Sequence, residues 1–383
     1  MSKTKVNKNR ILDEFLKLVS FDSESFHERE ISEYLKKKLK ELDLEVKEDD
    51  AREKILKKDE TKVQAASNIY GYLKGDLKGE TILFSSHLDT VSPGNGKKAI
   101  VDEEGRITSD GNTVLGADDV SGLVSILEAL TVIKENNLSH PDIEVLFTVA
   151  EEPYCEGSRY VDYSKLKAKN GYVLDLTGNI GRAAIAAPSI ISLQIAIRGK
   201  AAHAGFNPEE GINALTIAAN ALTKSKTGHT DSYTTVNFGT IKGGSGKNIV
   251  PEEIYIEGEV RSLKHDEALK EIEKIKQVFE AEAKQYGGEA KVEYVEHIKA
   301  YEVDEGSFIV RRFAKAVLED DRCRMPECIV TFGGSDANRL NENGISTIVM
   351  ACGMENCHSK AEYTRLDDIE SSAGLTLKLM TLE

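Results

Sequence analysis

The segment TILFSSHLDT at 81–90, read together with IEVLFTVAEE at 143–152, decides the architecture. Each opens on a nearly continuous apolar run and closes on groups that carry chemistry, His87 and Asp89 in the first and Glu151 and Glu152 in the second. A strand with one wet face alternates apolar and polar residues, whereas a strand covered on both faces of a largely parallel sheet is apolar throughout. Between the two runs, Val120, Leu123, Val124, Leu127 and Leu130 recur at helical spacing. Asp118 and Asp119 stand just before them, where acidic residues suit a helix N-terminus. Strand, helix, strand predicts an α/β fold with a mostly parallel central sheet flanked by helices.

Working outward, residues 9–45 carry two amphipathic helices on Ile11, Phe15, Leu18 and on Ile31, Leu35, Leu39. NIYGYL and GYVLDL are two further short apolar runs bounded by turn formers, and they read as strands. From residue 189 the pattern changes. The strand SIISLQIAIRG, the helix NALTIAANALTK, the strands TTVNFGTIKGG and EEIYIEGEVRS, a charged helix from His265 to about Tyr286 and the strand EAKVEYVEHI follow in the order β-α-β-β-α-β. That order is the ferredoxin-like split pattern, and the segment is long enough for a domain. After it, α/β alternation resumes with FIVRRFAKAVL, CIVTF, GGSDANRL, STIVMA and a last helix from Asp367. The expected division is therefore 1–186 and 299–383 for the two parts of one α/β domain, with 187–298 inserted between them.

Composition removes several function classes. With 40% hydrophobic and 30% charged residues the 383-residue chain is globular in character. Its net charge of -15 repels phosphate backbones and anionic lipid, so neither nucleic acid nor membrane is expected as a partner. The basic start MSKTKVNKNRILDEF has no apolar region behind it, which argues against a secretory signal and makes the cytoplasm the expected location. Five cysteines, Cys155, Cys323, Cys328, Cys352 and Cys357, fit reduced thiols better than a disulfide framework. The two late pairs raise a competing reading, a four-thiolate zinc site, but strand-like and helix-like runs lie where a zinc knuckle needs tight turns. GGSGKN at 243–248 fails as a phosphate loop because Ile241 and Asn248 stand where Gly and Ser or Thr are required. No G-x-S-x-G elbow opens a helix.

The remaining polar groups gather at one edge. His87 and Asp89, two apart on a strand, share a face, and a carboxylate beside a histidine can hold the tautomer of a metal-bound imidazole. Taken alone, a hydrogen-bonded structural histidine explains the pair equally well, and Asp118 with Asp119 could be no more than a helix cap. Glu151 and Glu152 end an apolar strand and diverge, so that one can bind a metal while the other handles protons. Asp175 interrupts the run Tyr172-Val173-Leu174, where an unpaired carboxylate would be expensive, and His358 follows the last predicted strand. All lie at or beyond the C-terminal ends of strands, the edge where open α/β sheets bind ligands. Two histidines and three carboxylates can hold two zinc ions when one carboxylate bridges. Calcium or magnesium would take more oxygen and no imidazole, which leaves zinc, with manganese or cobalt as substitutes.

The motifs HLDT at 87–90, GADD at 116–119, EE at 151–152, Asp175, GKAAHAG at 199–205, KNIVP at 247–251, GEVRS at 258–262, GGSD at 333–336 and CHSKAEY at 357–363 together resemble the dinuclear-zinc exopeptidases and aminoacylases. Within that family the resemblance is closest to the peptidase T (tripeptide aminopeptidase) branch and its shorter paralogues. It implies hydrolysis of the N-terminal peptide bond of short peptides on two zinc ions. His87 and Asp175 would bind one ion, Glu152 and His358 the other, and Asp118 both. Asp89 would orient His87, and Glu151 would serve as general base. The resemblance also implies that the inserted domain is a lid and dimerisation domain, whose edge strands suit a homodimer. His203 would stabilise the oxyanion, from the partner subunit in dimeric relatives; Asn248 and Arg261 would contact substrate, Arg261 through a peptide carboxylate, with Asn356 a further candidate. Phe332 stands where peptidase T tends to carry Arg, which puts strict tripeptide preference in doubt. An amidohydrolase or carboxypeptidase with the same metals, or an inactive peptide-binding protein, are the alternatives.

Overall fold

The computed structural model describes residues 5–320, 322–323 and 325–382; Met1–Thr4, the start of the basic segment read above for a leader, lie outside them. The chain forms two compact units, one of Met1–Ala186, Glu302–Thr331 and Ser335–Glu383 and the other of Ala187–Tyr301 with Phe332–Gly334.

The first unit is built on a nine-stranded sheet. Its centre runs Ile143–Thr148, Ile82–His87, Asn170–Leu176, Ser346–Ala351, and these neighbours are parallel. Both strands that open the sequence argument are buried at every position, as their nearly continuous apolar runs require, and Ser85, Ser86 and Glu144 are buried with them. Ile69–Leu73 and Glu45–Glu48 extend one side in antiparallel fashion, and Arg182–Ala187 continues the other. The helix Ala117–Asn136 packs on the sheet and also against Lys8–Val19 and Leu366–Thr381. Coverage from both sides explains why it is apolar nearly all round. Gly122 lets this helix approach closely, since a Cβ there would stand 2.4 Å from the Leu174 carbonyl oxygen. A small antiparallel sheet of Met354–Glu355, Tyr363–Arg365, Arg106–Thr108 and Ile100–Val101 completes the unit.

The second unit has strand order Gly228–His229, Thr234–Gly243, Glu253–Ser262, Ser189–Arg198, Glu289–Ile298, antiparallel throughout. Counted along the chain without the two-residue edge strand, the spatial order is 4-1-3-2, the ferredoxin-like arrangement. Ala214–Lys224 and His265–Gln285 bury Ile217, Ala221, Ile272, Ile275 and Phe279 against Ile191, Leu193, Ile195 and Ile197. This unit runs past the boundary expected at 298, to Tyr301, and takes in Phe332–Gly334. The reason lies in packing: the Ala300 amide donates to Ser189 Oγ at 2.8 Å, and Gly334 packs so closely on the Ile298 and Ile190 side chains that a Cβ there would force them to shift.

Candidate metal centre

Parallel pairing brings the polar strand ends together. Ser85 stands opposite Val173 and His87 opposite Thr148, so in the same register Asp175 falls level with His87, and Glu151 and Glu152 emerge just beyond. The fourth contribution is the turn into the helix Ala117–Asn136. Asp118 and Asp119 do not form its first regular turn as the sequence suggests; their backbone is non-helical. Asp119 Oδ1 accepts from Gly122 N at 3.3 Å and so caps the helix, which frees Asp118 to turn away. His358 is the other correction. It lies in a loop between the short strands Met354–Glu355 and Tyr363–Arg365, elements too brief to leave a periodic signal.

Among the described residues three metal-competent groups form, two of them sharing Asp118: His87 with Asp118 and Asp175, and Asp118 with Glu152 and His358. His87 Nε2 is 3.0 Å from Asp118 Oδ1 and 3.9 Å from Asp175 Oδ1. His358 Nε2 is 3.2 Å from Asp118 Oδ2 and 2.9 Å from Glu152 Oε2. Asp118 thus turns one oxygen to each imidazole. Glu152 Oε1 is buried without a hydrogen-bond partner, a costly condition for a carboxylate oxygen that a cation would relieve. Among the described residues, neither group contains any of the five cysteines.

The electrostatics favour cations. Burial opposes ionisation of Asp118, yet His358 and His87 hold its carboxyl well below the usual range. His358 is raised to about 10 by Asp118 and Glu152. His87 is raised against the opposing effect of burial by Asp118 and Asp89. Burial, reinforced by Asp118, pushes Asp175 and Glu152 upward. A pocket that competes this strongly for protons also competes for divalent metal.

Behind the candidate ligands sits an organised polar layer. His87 Nδ1 is 3.0 Å from the Asp89 carbonyl and 3.5 Å from its carboxylate, while that carboxylate accepts from the Glu151 and Glu152 amides at 2.9 and 3.2 Å and from Ser25 Oγ at 2.7 Å. One aspartate therefore fixes both the imidazole and the turn bearing the two glutamates. Glu151 stays outside both groups and lies in a third, with Cys155 and Asp336; the Cys155 thiol donates to its Oε1 at 3.4 Å. Burial raises Glu151 well above an ordinary glutamate, with Asp336 and Glu152 adding to the effect.

The structural layer contains residues to which the sequence assigned no place at the site: Ser25, Glu28, Cys155 and Glu362. Glu362, four residues after His358, accepts from Leu115, Gly116 and Asp118 amides. Burial, with Asp89 nearby, raises Glu28 to about 8. Its folded pKa exceeds the unfolded value, so it favours folding fully below pH 4.5 and this contribution disappears as pH rises through about 8. Glu28→Gln, which has no proton to lose, is expected to flatten the fall in melting temperature between pH 5 and 9. A slope equal to that of the wild type would rule this assignment out.

Of the predicted substrate-contacting residues, His203, Asn248 and Arg261 lie in the second unit, apart from this cluster in sequence. His203 is exposed, and its ring stacks on Phe206 at 4.2 Å. Asn248 is exposed, its carbonyl accepting from Ala204 N at 3.0 Å. The Arg261 fork expected to take a peptide carboxylate is engaged by Glu259 at 2.7 and 3.2 Å, and its Nη1 donates to the Phe332 carbonyl at 2.9 Å. Asn356 is in the first unit, on the His358 loop, with φ of 55°.

The dimerisation domain of the M20 peptidases matches residues 185–287. Over 375 residues the chain is 40% identical to the uncharacterised protein YqjE of Bacillus subtilis, covering 98% of each. A tripeptidase from Staphylococcus aureus superposes with a TM-score of 0.93 at 33% identity, covering 98% of both chains. The aminopeptidase PepT from Bacillus cereus does so with a TM-score of 0.89 at 38% identity and the same coverage.

Proposed function

This chain belongs to the M20 peptidase family, and from that premise we propose that it is a dinuclear-zinc aminopeptidase that releases the N-terminal residue of short peptides, tripeptides among them. The observation that carries the reading is Asp118, whose two oxygens address two imidazoles, each backed by one further carboxylate, Asp175 or Glu152. Imidazole with carboxylate suits zinc, and cobalt or manganese would substitute. The orphaned Glu152 Oε1 fits the donor role. Bound zinc would lower the pKa of a coordinated water and polarise the scissile carbonyl.

The chain's own residues do the rest. Glu151, adjacent to a ligand yet outside both ligand groups, takes the proton from the attacking water and delivers it to the leaving amine. Burial pushes its pKa above that of an ordinary glutamate, which suits a group that must hold the proton between the two transfers. Asp89 keeps His87 in one orientation and holds the Glu151 turn through the backbone. His203 supplies the oxyanion contact in this reading, reaching the site of a partner subunit in a homodimer formed through the second unit. The exposed edges of that unit's antiparallel sheet suit such pairing. Asn248, Arg261 and Asn356 are assigned to substrate, with Arg261 serving as an anchor already held in place by Glu259. No helix among the described residues is long and apolar enough to cross a membrane.

The test is release of free alanine from Ala-Ala-Ala by purified protein with zinc, cobalt or manganese, beside a chelator-treated control. Metal-dependent release is expected; cleavage of N-acetyl amino acids instead would move the function to the amidohydrolases. Chelation is also expected to lower the melting temperature, since a site filled at 100 times its Kd stabilises the fold by about 2.7 kcal/mol. An unchanged melting temperature in the chelated protein would argue against resident metal.

A further inference from the structure

We propose that Glu362 is a positioning residue that clamps the Asp118 turn to the His358 loop and thereby sets the affinity of the metal position on the His358 side. The inference rests on the dinuclear reading above and assigns unequal anchorage to its two halves.

His87 and Asp175 belong to central strands of the large sheet, and the His87 side chain is only 2% exposed. Their positions follow from the packed sheet. His358 has no such support: its side chain is 57% exposed, and its loop hangs between strands of two and three residues. The loop backbone holds φ of 55° at Asn356 and 61° at His358, conformations that non-glycine residues keep only where their surroundings impose them. Its internal bonds are local: Ser359 Oγ to the Asn356 carbonyl at 2.8 Å, Glu362 N to the Ser359 carbonyl at 3.1 Å, and Asn356 Nδ2 to the Ala361 carbonyl at 3.4 Å.

Glu362 reaches farther. Its carboxylate, with the residue 1% exposed, receives Leu115 N at 2.7 Å and Gly116 N at 2.8 Å on Oε2, and Asp118 N at 2.9 Å on Oε1. Both oxygens are committed, and the third donor belongs to the residue whose own carboxylate addresses both imidazoles. One side chain therefore ties the turn that presents Asp118 Oδ2 to the loop that presents His358 Nε2. The opposite side of the turn has an independent tether. Asp119 Oδ2 receives Ser86 Oγ at 2.5 Å and His87 N at 3.2 Å, so Asp118 remains beside His87 without Glu362. Removing the clamp leaves the His87 half ordered. On the His358 side, metal binding must then also order the loop, and that entropy is subtracted from the affinity.

The full-length protein, stripped with chelator, would be titrated with zinc by calorimetry and by a competing chromophoric chelator. Wild type, Glu362→Gln and Glu362→Asp would be compared. Gln keeps the size but sets an NH2 group against a backbone donor, and Asp keeps the charge but falls one methylene short. Expected is an unchanged first zinc and a second zinc weakened about 10- to 100-fold in Glu362→Gln, the range typical for partners that orient metal ligands, with Glu362→Asp in between. A second zinc bound by both variants as tightly as by wild type, or equal weakening of both ions in a variant with native circular dichroism, overturns the proposal. Fewer than two zinc ions on the wild type would instead overturn the dinuclear reading, and the inference with it.

Discussion

Glu151→Gln is expected to lower kcat on a tripeptide by about 10²- to 10⁴-fold, the usual worth of a positioned general base, while bound zinc stays at the wild-type level. The expectation follows from placement. Glu151 adjoins Glu152, which is in a ligand group, but Glu151 itself keeps company with Cys155 and Asp336. Its amide, held by Asp89, does not depend on the side chain that is changed. Gln preserves the shape and can still accept from Cys155, so the metal groups should survive. Steady-state kinetics beside metal analysis of the same preparation decide the matter. Retained turnover would remove Glu151 from its role as base, and lost zinc would make it a ligand instead.

Asp118→Ala should be more damaging, because it alone serves both groups. Bound zinc is expected to drop from about two ions per chain to below one, with turnover reduced at least as far as in Glu151→Gln. Glu152→Ala, by contrast, should leave the His87 and Asp175 pair able to hold one ion. The comparison guards against a general loss of structure, since both replacements remove one buried carboxylate from a crowded acidic pocket, where burial disfavours charge in any case. If Asp118→Ala keeps two ions, the bridging assignment is wrong.

Much of this could be read along the chain because the strands announce themselves. A run such as Ile82-Leu83-Phe84 has no alternative to burial on both faces, and its polar terminus must then lie at the sheet edge. Four of the five candidate ligands, His87, Asp118, Glu152 and Asp175, were legible for the same reason: each belongs to or follows an apolar run or opens a helix, so they share one end of the sheet, whereas His358 lies on a loop of the small sheet between strands too short to announce themselves. The secondary layer left no such trace. Glu28, Ser25, Cys155 and Glu362 sit in polar, aperiodic segments, where a charged residue is ordinarily solvated. Of these, only Glu362 lies inside a quoted motif, and the motif offered no reason to give it a partner at Leu115.

Sequence by itself determined the order of elements, the alternation that makes an α/β layer with a ferredoxin-like insertion, and the residue types able to bind zinc. Those follow from local periodicity and side-chain chemistry, which are properties of neighbours in the chain. Tertiary structure decided which oxygen of Asp118 meets which imidazole, that Asp119 and not Asp118 caps the helix, and that Glu259 already occupies the Arg261 fork. It also decided the boundary, by returning Phe332–Gly334 to the second unit. The Asp118 contacts and the boundary join segments distant in sequence, where angstrom-scale distance and burial set the energy and spacing along the chain carries no information about either; the Asp119 cap and the Glu259–Arg261 pair span only three and two residues, and there the fold selected one of several geometries that the local sequence allows.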